Sequence, residues 1–316
     1  MNYFRFNALA LMIGFVLDLL IGDPEGWPHP VIFIGRYISF AEKKLRARGG
    51  NLRVSAVLLT VSTILLAASV TAAIMLLLTL LGTVPALIGA GVIAWTSLSC
   101  KCLAKEARGV AAALSESLEA GRKRVGRIVG RDTASLTERE IIRATVETVA
   151  ENTTDGVLSP MLYLLLGGPV LVMAFKAAST LDSMVGYLDE KYRDIGWSSA
   201  KWDDVMNFIP ARICGVLMSA SAFLCGLDGA RAFSVMRCDH ANHLSPNCAW
   251  SEAAAAGALG VQLGGTHTYF GKTVVKPTIG DDLRPIETAD IGRMNRLLYV
   301  TSILFCALLA LIGALL

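Results

Sequence analysis

Residues 54–100 read VSAVLLTVSTILLAASVTAAIMLLLTLLGTVPALIGAGVIAWTSLSC, 47 consecutive positions without a charged side chain. A membrane-spanning helix needs about 20 apolar residues, so the run holds two helices, divided at Gly82-Thr83-Val84-Pro85 where glycine and proline end a helix. On one side lie Arg36, Lys43, Lys44, Arg46, Arg48 and Arg53 against Glu42 alone. On the other are Lys101, Lys105, Arg108, Arg122, Lys123, Arg124, Arg127 and Arg131. Basic flanks at both ends predict a hairpin whose two ends stay cytoplasmic.

The whole chain agrees with that reading. Of 316 residues, 54% are hydrophobic and 17% charged, against about 25% charged in soluble domains. The mean hydropathy is +0.55. A net charge of +3 excludes a strongly basic nucleic-acid binder, and the apolar content excludes disorder. Seven cysteines, an odd number scattered through apolar runs, predict reduced, packed thiols. Further apolar runs at 6–21, 157–175, 213–227 and 297–316 bring the expectation to four to six membrane elements. All are expected to be helical, because nothing alternates at period two and lipid admits only helices or closed barrels. The fold class is therefore an all-α polytopic membrane protein, a single integral membrane domain over 1–316. The stretches 101–156 and 228–294 are expected to be mainly cytoplasmic helix and loop. The N-terminal run reads as a retained anchor.

The polar segments carry the motifs. Residues 101–155 predict an alanine-rich helix to Ala120, an interruption at Gly121-Arg122-Lys123-Arg124, and a second helix opened by Ser135…Glu138 or Thr137…Glu140 as a capping box. Residues 251–263 predict another helix, starting near Ser251 or Asn247. Arg143, Glu147, Glu151 and Asp155 recur every four residues and so share one helix face. Three successive carboxylates repel one another unless a cation intervenes, which suits magnesium; a solvated charged face is the bland alternative. Asp203-Asp204 before an apolar run, and Lys176 one turn before Ser179-Thr180-Leu181-Asp182, are charges near a membrane that tend to mark function. The basic run 122–131 reads more simply as charge meeting anionic lipid than as a phosphate grip. Residues 264–273, GGTHTYFGKT, fail the phosphate-loop spacing by one position and read as a glycine-rich loop with Lys272 and Lys276 nearby. His240 and His243 have the spacing of a weak zinc pair, and the loop composition suits a helix start equally well.

Taken together, these segments resemble a known family. The pattern opens with Gly22-Asp23-Pro24, Trp27-Pro28-His29-Pro30 and Ile34-Gly35-Arg36. It continues through Val129-Gly130-Arg131-Asp132, Glu147–Asn152 with Asp155-Gly156, and Thr180–Tyr187. Asp203-Asp204, Asn207, Pro210-Ala211-Arg212, Ser245-Pro246-Asn247, Glu252-Ala253-Ala254 and Leu263-Gly264-Gly265 complete it. In order and number these resemble the CbiB/CobD family of adenosylcobinamide-phosphate synthases, from about residue 14 to about 290. Ser179 stands where that family has asparagine, and Cys248-Ala249 where it has a small residue and glycine.

The resemblance implies ATP-dependent, magnesium-dependent amide ligation of adenosylcobyric acid with (R)-1-aminopropan-2-ol O-2-phosphate, or a related amino alcohol, giving adenosylcobinamide phosphate. It also implies a site on the cytoplasmic side of the inner membrane and neighbours among the enzymes of nucleotide-loop assembly. On that basis Glu147, Glu151 and Asp204 are the expected catalytic residues. Arg143, Lys176, Asp182, Arg212, Asn247 and Lys276 are the expected substrate contacts, and Glu151, Asp155, Asp203 and Asp204 the expected metal ligands. For 182–204 to reach the same side as Glu147, the run 157–178 is expected to bend at Gly167-Gly168-Pro169 as a re-entrant hairpin. A transporter of a corrinoid or similar anion, or an AmpE-like membrane paralogue, is the competing class.

Overall fold

Hydrocarbon offers the backbone no hydrogen-bond partner, so apolar runs must satisfy their own amides as helix. The computed structural model describes residues 2–24, 26–187, 189–269 and 272–316, with backbone alone at 267–269, 272 and 273. In chain order the helices are α1 (Tyr3–Leu20), α2 (Pro30–Arg48), α3 (Leu52–Leu80), α4 (Thr83–Trp95), α5 (Cys100–Glu116), α6 (Leu118–Val125) and α7 (Glu138–Thr153). A π-helical turn, Thr154–Leu158, leads into α8 (Ser159–Val185), followed by α9 (Trp197–Met206), α10 (Phe208–Leu224), α11 (Gly229–Asp239) and α12 (Cys248–Leu259). Strands β1 (Leu263–Tyr269) and β2 (Lys272–Ile279) pair antiparallel, and α13 (Ala289–Leu315) follows. Among the described residues five helical segments are long and apolar enough to cross a membrane, or six if the bent pair Trp197–Met206 and Phe208–Leu224 forms one span. The protein is a polytopic helical membrane protein.

Two compact units emerge, each assembled from separate stretches: 1–99, 159–207 and 306–316 make the first, 100–158 and 208–305 the second. In the first unit the uncharged run breaks where expected, at Gly82 (φ 120°) between α3 and α4. Only 11% of an 18-residue apolar window of α3 is buried, so most of its side chains are left to face lipid rather than a protein core. Helix α1 packs on α4 at Gly14, where an added Cβ would lie 2.4 Å from that of Ala94. Ile38 of α2, Leu59 of α3, and Leu181 and Val185 of α8 close an apolar cluster with Ile195.

At 167–169, where a re-entrant bend is expected, α8 shows a kink at Gly168 (φ 64°, ψ −161°), and the helix continues beyond it to Val185. Pro169 has no N–H for the Leu165 carbonyl four residues back. That carbonyl instead accepts from Asn7 Nδ2 of α1 at 3.2 Å, and Asn7 is buried. A polar side chain in an apolar helix thus repairs the hydrogen bond that proline deletes.

The second unit departs from the sequence reading in two places. The interruption between the first two polar helices falls at Ser117, whose hydroxyl caps the Ala120 N–H at 3.1 Å, while Gly121–Arg124 lies inside α6. Arginine and lysine are good helix formers, and Arg124 pairs with Glu106 of α5 at 3.0 Å, so the basic run winds instead of breaking. Beneath it Val110, Val125, Leu136, Ile141 and Ala144 form a small core. Of the two capping boxes the chain uses Thr137 with Glu140, each bonding the other's backbone N–H.

The second correction concerns 261–279. Helix α12 stops at Gly260, which takes the left-handed conformation, so 261–263 leave the helix. The glycine-rich segment is a β-hairpin with a bulge between Gly264 and Thr266, the one sheet among the described residues. Thr273, Val274, Val275, Thr278 and Ile279 are β-branched, a strand signal hidden by the shortness of the run. Further on, buried Asp290 anchors the start of α13 by accepting from Arg284 (2.6 and 2.9 Å), Arg293 (2.7 Å) and the Glu287 N–H.

Asn7→Ala orphans the Leu165 carbonyl and is expected to cost about 1–3 kcal/mol. The check is a lower thermal midpoint of the purified protein in detergent. An unchanged midpoint would mean that α8 satisfies that carbonyl without α1.

Candidate functional site

A cavity of ≈ 200 Å³ lies in the second unit. Its walls are the 128–131 loop, Glu147, Thr148, Glu151 and Asn152 of α7, His243, Glu252 of α12, Gly264 of β1 and Lys276 of β2. The four-residue spacing that put Glu147 and Glu151 on one face of α7 brings both into the cavity, with Thr148 and Asn152 along the same edge.

Glu147 is held from two directions. One oxygen accepts from the Arg131 guanidinium and the other from the Gly264 backbone N–H at 2.7 Å. Both side chains of the ion pair are more than nine-tenths buried. A buried carboxylate so engaged is a strut, tying the 129–132 loop and the start of β1 to α7. Arg143, one turn earlier, points at the Gly264 carbonyl at 3.5 Å, and its Nε is buried without a hydrogen-bond partner among the described residues.

Glu151 accepts from the Cys248 thiol at 3.0 Å. Burial, then the charges of Glu151 and Glu252, push that thiol well above its usual pKa, so Cys248 is a donor and not a thiolate. Asn152 spends its amide N–H on the Thr148 carbonyl at 3.0 Å, which leaves Oδ1 as an acceptor. His243 Nδ1 accepts the Ser245 N–H at 3.0 Å, and Nε2 faces Lys276 Nζ at 3.3 Å. Burial first, then Lys276, lower the pKa of His243 and keep the ring neutral.

Glu252 stands apart. It is 4% exposed and makes no hydrogen bond or ion pair among the described residues. Burial, then Glu147 and Glu151, push its pKa well above the usual carboxylate range. It sits on the most tightly packed helix of the unit. Residues 251–259 of α12 are buried, six of them alanine or glycine, against α10 and α11. A Cβ at Gly257 would come within 2.7 Å of the α11 backbone. Small side chains bring the backbones together, and Glu252 lines the cavity.

The residues singled out in the sequence divide accordingly. Glu147, Glu151 and Lys276 line the cavity, and Arg143 braces its edge. Arg212 and Asn247 meet each other at 3.4 Å, with Arg212 over the Phe208 ring (3.4 Å to its centroid) and the Trp250 ring (4.8 Å). Asp155 lies in the π-turn beyond α7, outside the lining. Lys176, Asp182, Asp203 and Asp204 belong to the first unit. There Asp203 accepts from Asn207 Nδ2 at 3.0 Å, Asn207 from Ser159 at 2.6 Å, and Asp204 pairs with Lys201 at 3.3 Å. The side chain of Lys272 lies outside the described residues. Three lining residues were given no role at the site by the sequence reading: Arg131 and Glu252, present within the segments that carry the family resemblance, and His243, set aside with a weak zinc pair.

Among the described residues no group of three or more His, Cys, Asp or Glu side chains is placed to hold a metal ion by itself. The all-oxygen character of Glu151 and the Asn152 amide fits a hard cation that brings most of its ligands as water and phosphate, as magnesium does.

Comparison with known proteins gives a consistent result. The family described as CobD/Cbib protein matches residues 11–298. A cobalamin biosynthesis protein CobD of Listeria monocytogenes is 47% identical over 291 residues, covering 91% of this chain and 92% of that protein. The CobD of Geobacter metallireducens is 46% identical, covering 95% of each chain. A cobalamin biosynthesis protein CbiB of Salmonella typhi is 47% identical, covering 96% of each. No solved structure matches. A family match over most of the length, with relatives near half identical from end to end, establishes that this chain belongs to the CobD/CbiB family.

Proposed function

We propose that the protein is a membrane-bound, ATP-dependent amide ligase of cobalamin biosynthesis. It joins the free propionate of adenosylcobyric acid to (R)-1-aminopropan-2-ol O-2-phosphate, or a related amino alcohol, giving adenosylcobinamide phosphate. The observation that carries this reading is the interleaving of buried carboxylates with Arg131 and Lys276 around one small cavity, in a chain otherwise poor in charge. Buried charge is costly and is retained where chemistry uses it. The names of the relatives support the pathway.

The chemistry sets the demands. A carboxylate does not acylate an amine, because oxide is the leaving group. Bound MgATP supplies the phosphoryl group that makes the acid reactive. The residues of the chain do the rest. Lys276 and Arg131 present cations to phosphate oxygens, where charge-assisted hydrogen bonds are strongest away from bulk water. Glu151 and Asn152 Oδ1 are the groups to hold magnesium. Glu147, spent on Arg131 and Gly264, fixes the loop and the hairpin rather than moving protons. The cytoplasm is the side where ATP is available, and the basic flanks of α3 and α5 agree with that orientation. Enzymes that process the product meet the protein there.

Two outcomes test this. Glu151→Gln is expected to lower ATP-dependent amide formation by about 10²-fold or more and to raise the magnesium concentration required, with membrane insertion unchanged. A wild-type rate in that variant removes Glu151 from the site. For orientation, Cys238 of α11 is the one exposed cysteine of the seven. A membrane-impermeant maleimide is expected to label it in vesicles with the cytoplasmic face outward and to spare it in intact spheroplasts. The opposite pattern places the cavity outside the cell.

A further inference from the structure

Helix α2 carries too much charge to cross a membrane: Arg36, Glu42, Lys43, Lys44, Arg46 and Arg48 fall within its 19 residues. It is nonetheless fastened to the helices that do cross. Ile38 is buried with Leu59 of α3 and with Leu181 and Val185 of α8, and Ile34, Ala41 and Leu45 pack beside it. Only Gly49, Gly50 and Asn51 separate its end from α3, whose uncharged run opens at Val54. The last turn of α2 therefore stands where hydrocarbon gives way to headgroups.

The face turned away from that packing mixes rings and cations. Ile32, Phe33 and Phe40 are 47%, 57% and 57% exposed. Arg36 lies over the Phe33 ring, 5.9 Å from its centroid, and Lys44 over the Phe40 ring at 4.7 Å. Phe33 and Phe40 are seven residues apart, as are Arg36 and Lys43, so ring and base recur together after two turns. Glu42 is the one acid of the helix, and Arg46 takes it at 2.8 Å. Arg36, Lys43, Lys44 and Arg48 have no carboxylate partner among the described residues.

The charges choose the occupant of this face. A second copy of the chain would set four more cations against these four. An acidic soluble protein meets the bases but would have to enter the acyl boundary to cover Ile32 and Phe33. An anionic leaflet satisfies both halves at once: aromatic rings settle between acyl chains and headgroups, while lysine and arginine reach out to phosphate.

We propose that the outward face of α2 is a binding surface for anionic phospholipid. Ile32, Phe33 and Phe40 enter the acyl boundary, and Arg36, Lys43, Lys44 and Arg48 hold headgroup phosphates. The assignment rests on the first unit alone and is independent of the coupling chemistry proposed above. Each base close to an anionic surface contributes about fivefold in affinity, so the set gives a selectivity that scattered lysines do not.

The test is a titration of the purified full-length protein, in neutral detergent, with dioctanoyl phosphatidylglycerol and with dioctanoyl phosphatidylcholine, bound lipid being counted by native mass spectrometry. The wild type is expected to prefer phosphatidylglycerol by about 10-fold or more at low salt, and the preference to shrink as salt screens it. Lys43→Gln/Lys44→Gln/Arg48→Gln keeps helix-forming residues and is expected to reduce the preference to less than about threefold with phosphatidylcholine binding unchanged. Lys123→Gln/Arg127→Gln/Arg139→Gln removes as much charge from exposed positions of the second unit and is expected to leave the preference intact. A wild type without preference, or an α2 variant that keeps it, overturns the proposal. So does a control variant that loses it to the same extent, because net charge and not this face is then responsible. If the triple α2 variant does not fold, Lys43→Gln and Lys44→Gln singly decide: a partial loss in each supports the surface, and no change in either refutes it. A lipid-free dimer in detergent that the α2 substitutions dissolve assigns the face to a second copy and refutes the lipid reading.

Discussion

The ion pair between Glu147 and Arg131, with the Gly264 N–H on the second carboxylate oxygen, is the contact on which the rest of the site depends. It joins three pieces of chain that share no regular structure: the middle of α7, the loop after α6, and the bulged start of β1. Removing either charge leaves the other buried and uncompensated, a penalty of several kcal/mol in proteins generally (about 3–5). Because Gly264 is tied to α7, β2 is carried into register beside it, and Lys276 comes to the cavity wall.

A comparable economy operates within the apolar helices of the first unit. Proline in α8 opens one carbonyl, and no water is at hand in lipid to close it. Asn7 does so from α1, across a sequence separation of 158 residues. Gly168 makes room for it, since a Cβ there would come within 3.1 Å of Asn7 Oδ1. The kink and the buried asparagine are one device written in two distant places.

Much of this was legible in the sequence, and the reason is physical. Hydrophobic length and basic flanks reveal spans without any tertiary information, so the hairpin of α3 and α4 and the position of the kink in α8 were read directly. The spacing of Glu147 and Glu151 revealed a shared face because helical period is local. What was missed depends on distant contacts. The winding of 121–124 rests partly on Glu106 of a neighbouring helix, and the hairpin at 263–279 rests on the pairing of its two strands. Arg131 reads as lipid-facing charge until Glu147 is seen beside it. Glu252 is unremarkable among alanines until the fold sets it in the cavity wall. Spacing alone linked Asp155 with the glutamates, whereas the π-turn sets it outside the cavity lining.

The alanine-rich helix that forms the floor behind Glu252 also bears on how the protein can change. Behind Glu252 the backbones of α10, α11 and α12 are nearly in contact, and a single methyl at Gly257 or Gly215 collides with main chain. That wall has no slack to trade. Any drift of the cavity toward bulkier or shorter ligands during evolution must therefore be drawn from its rim, the 128–131 loop and the β-hairpin, while the floor persists as an inherited template.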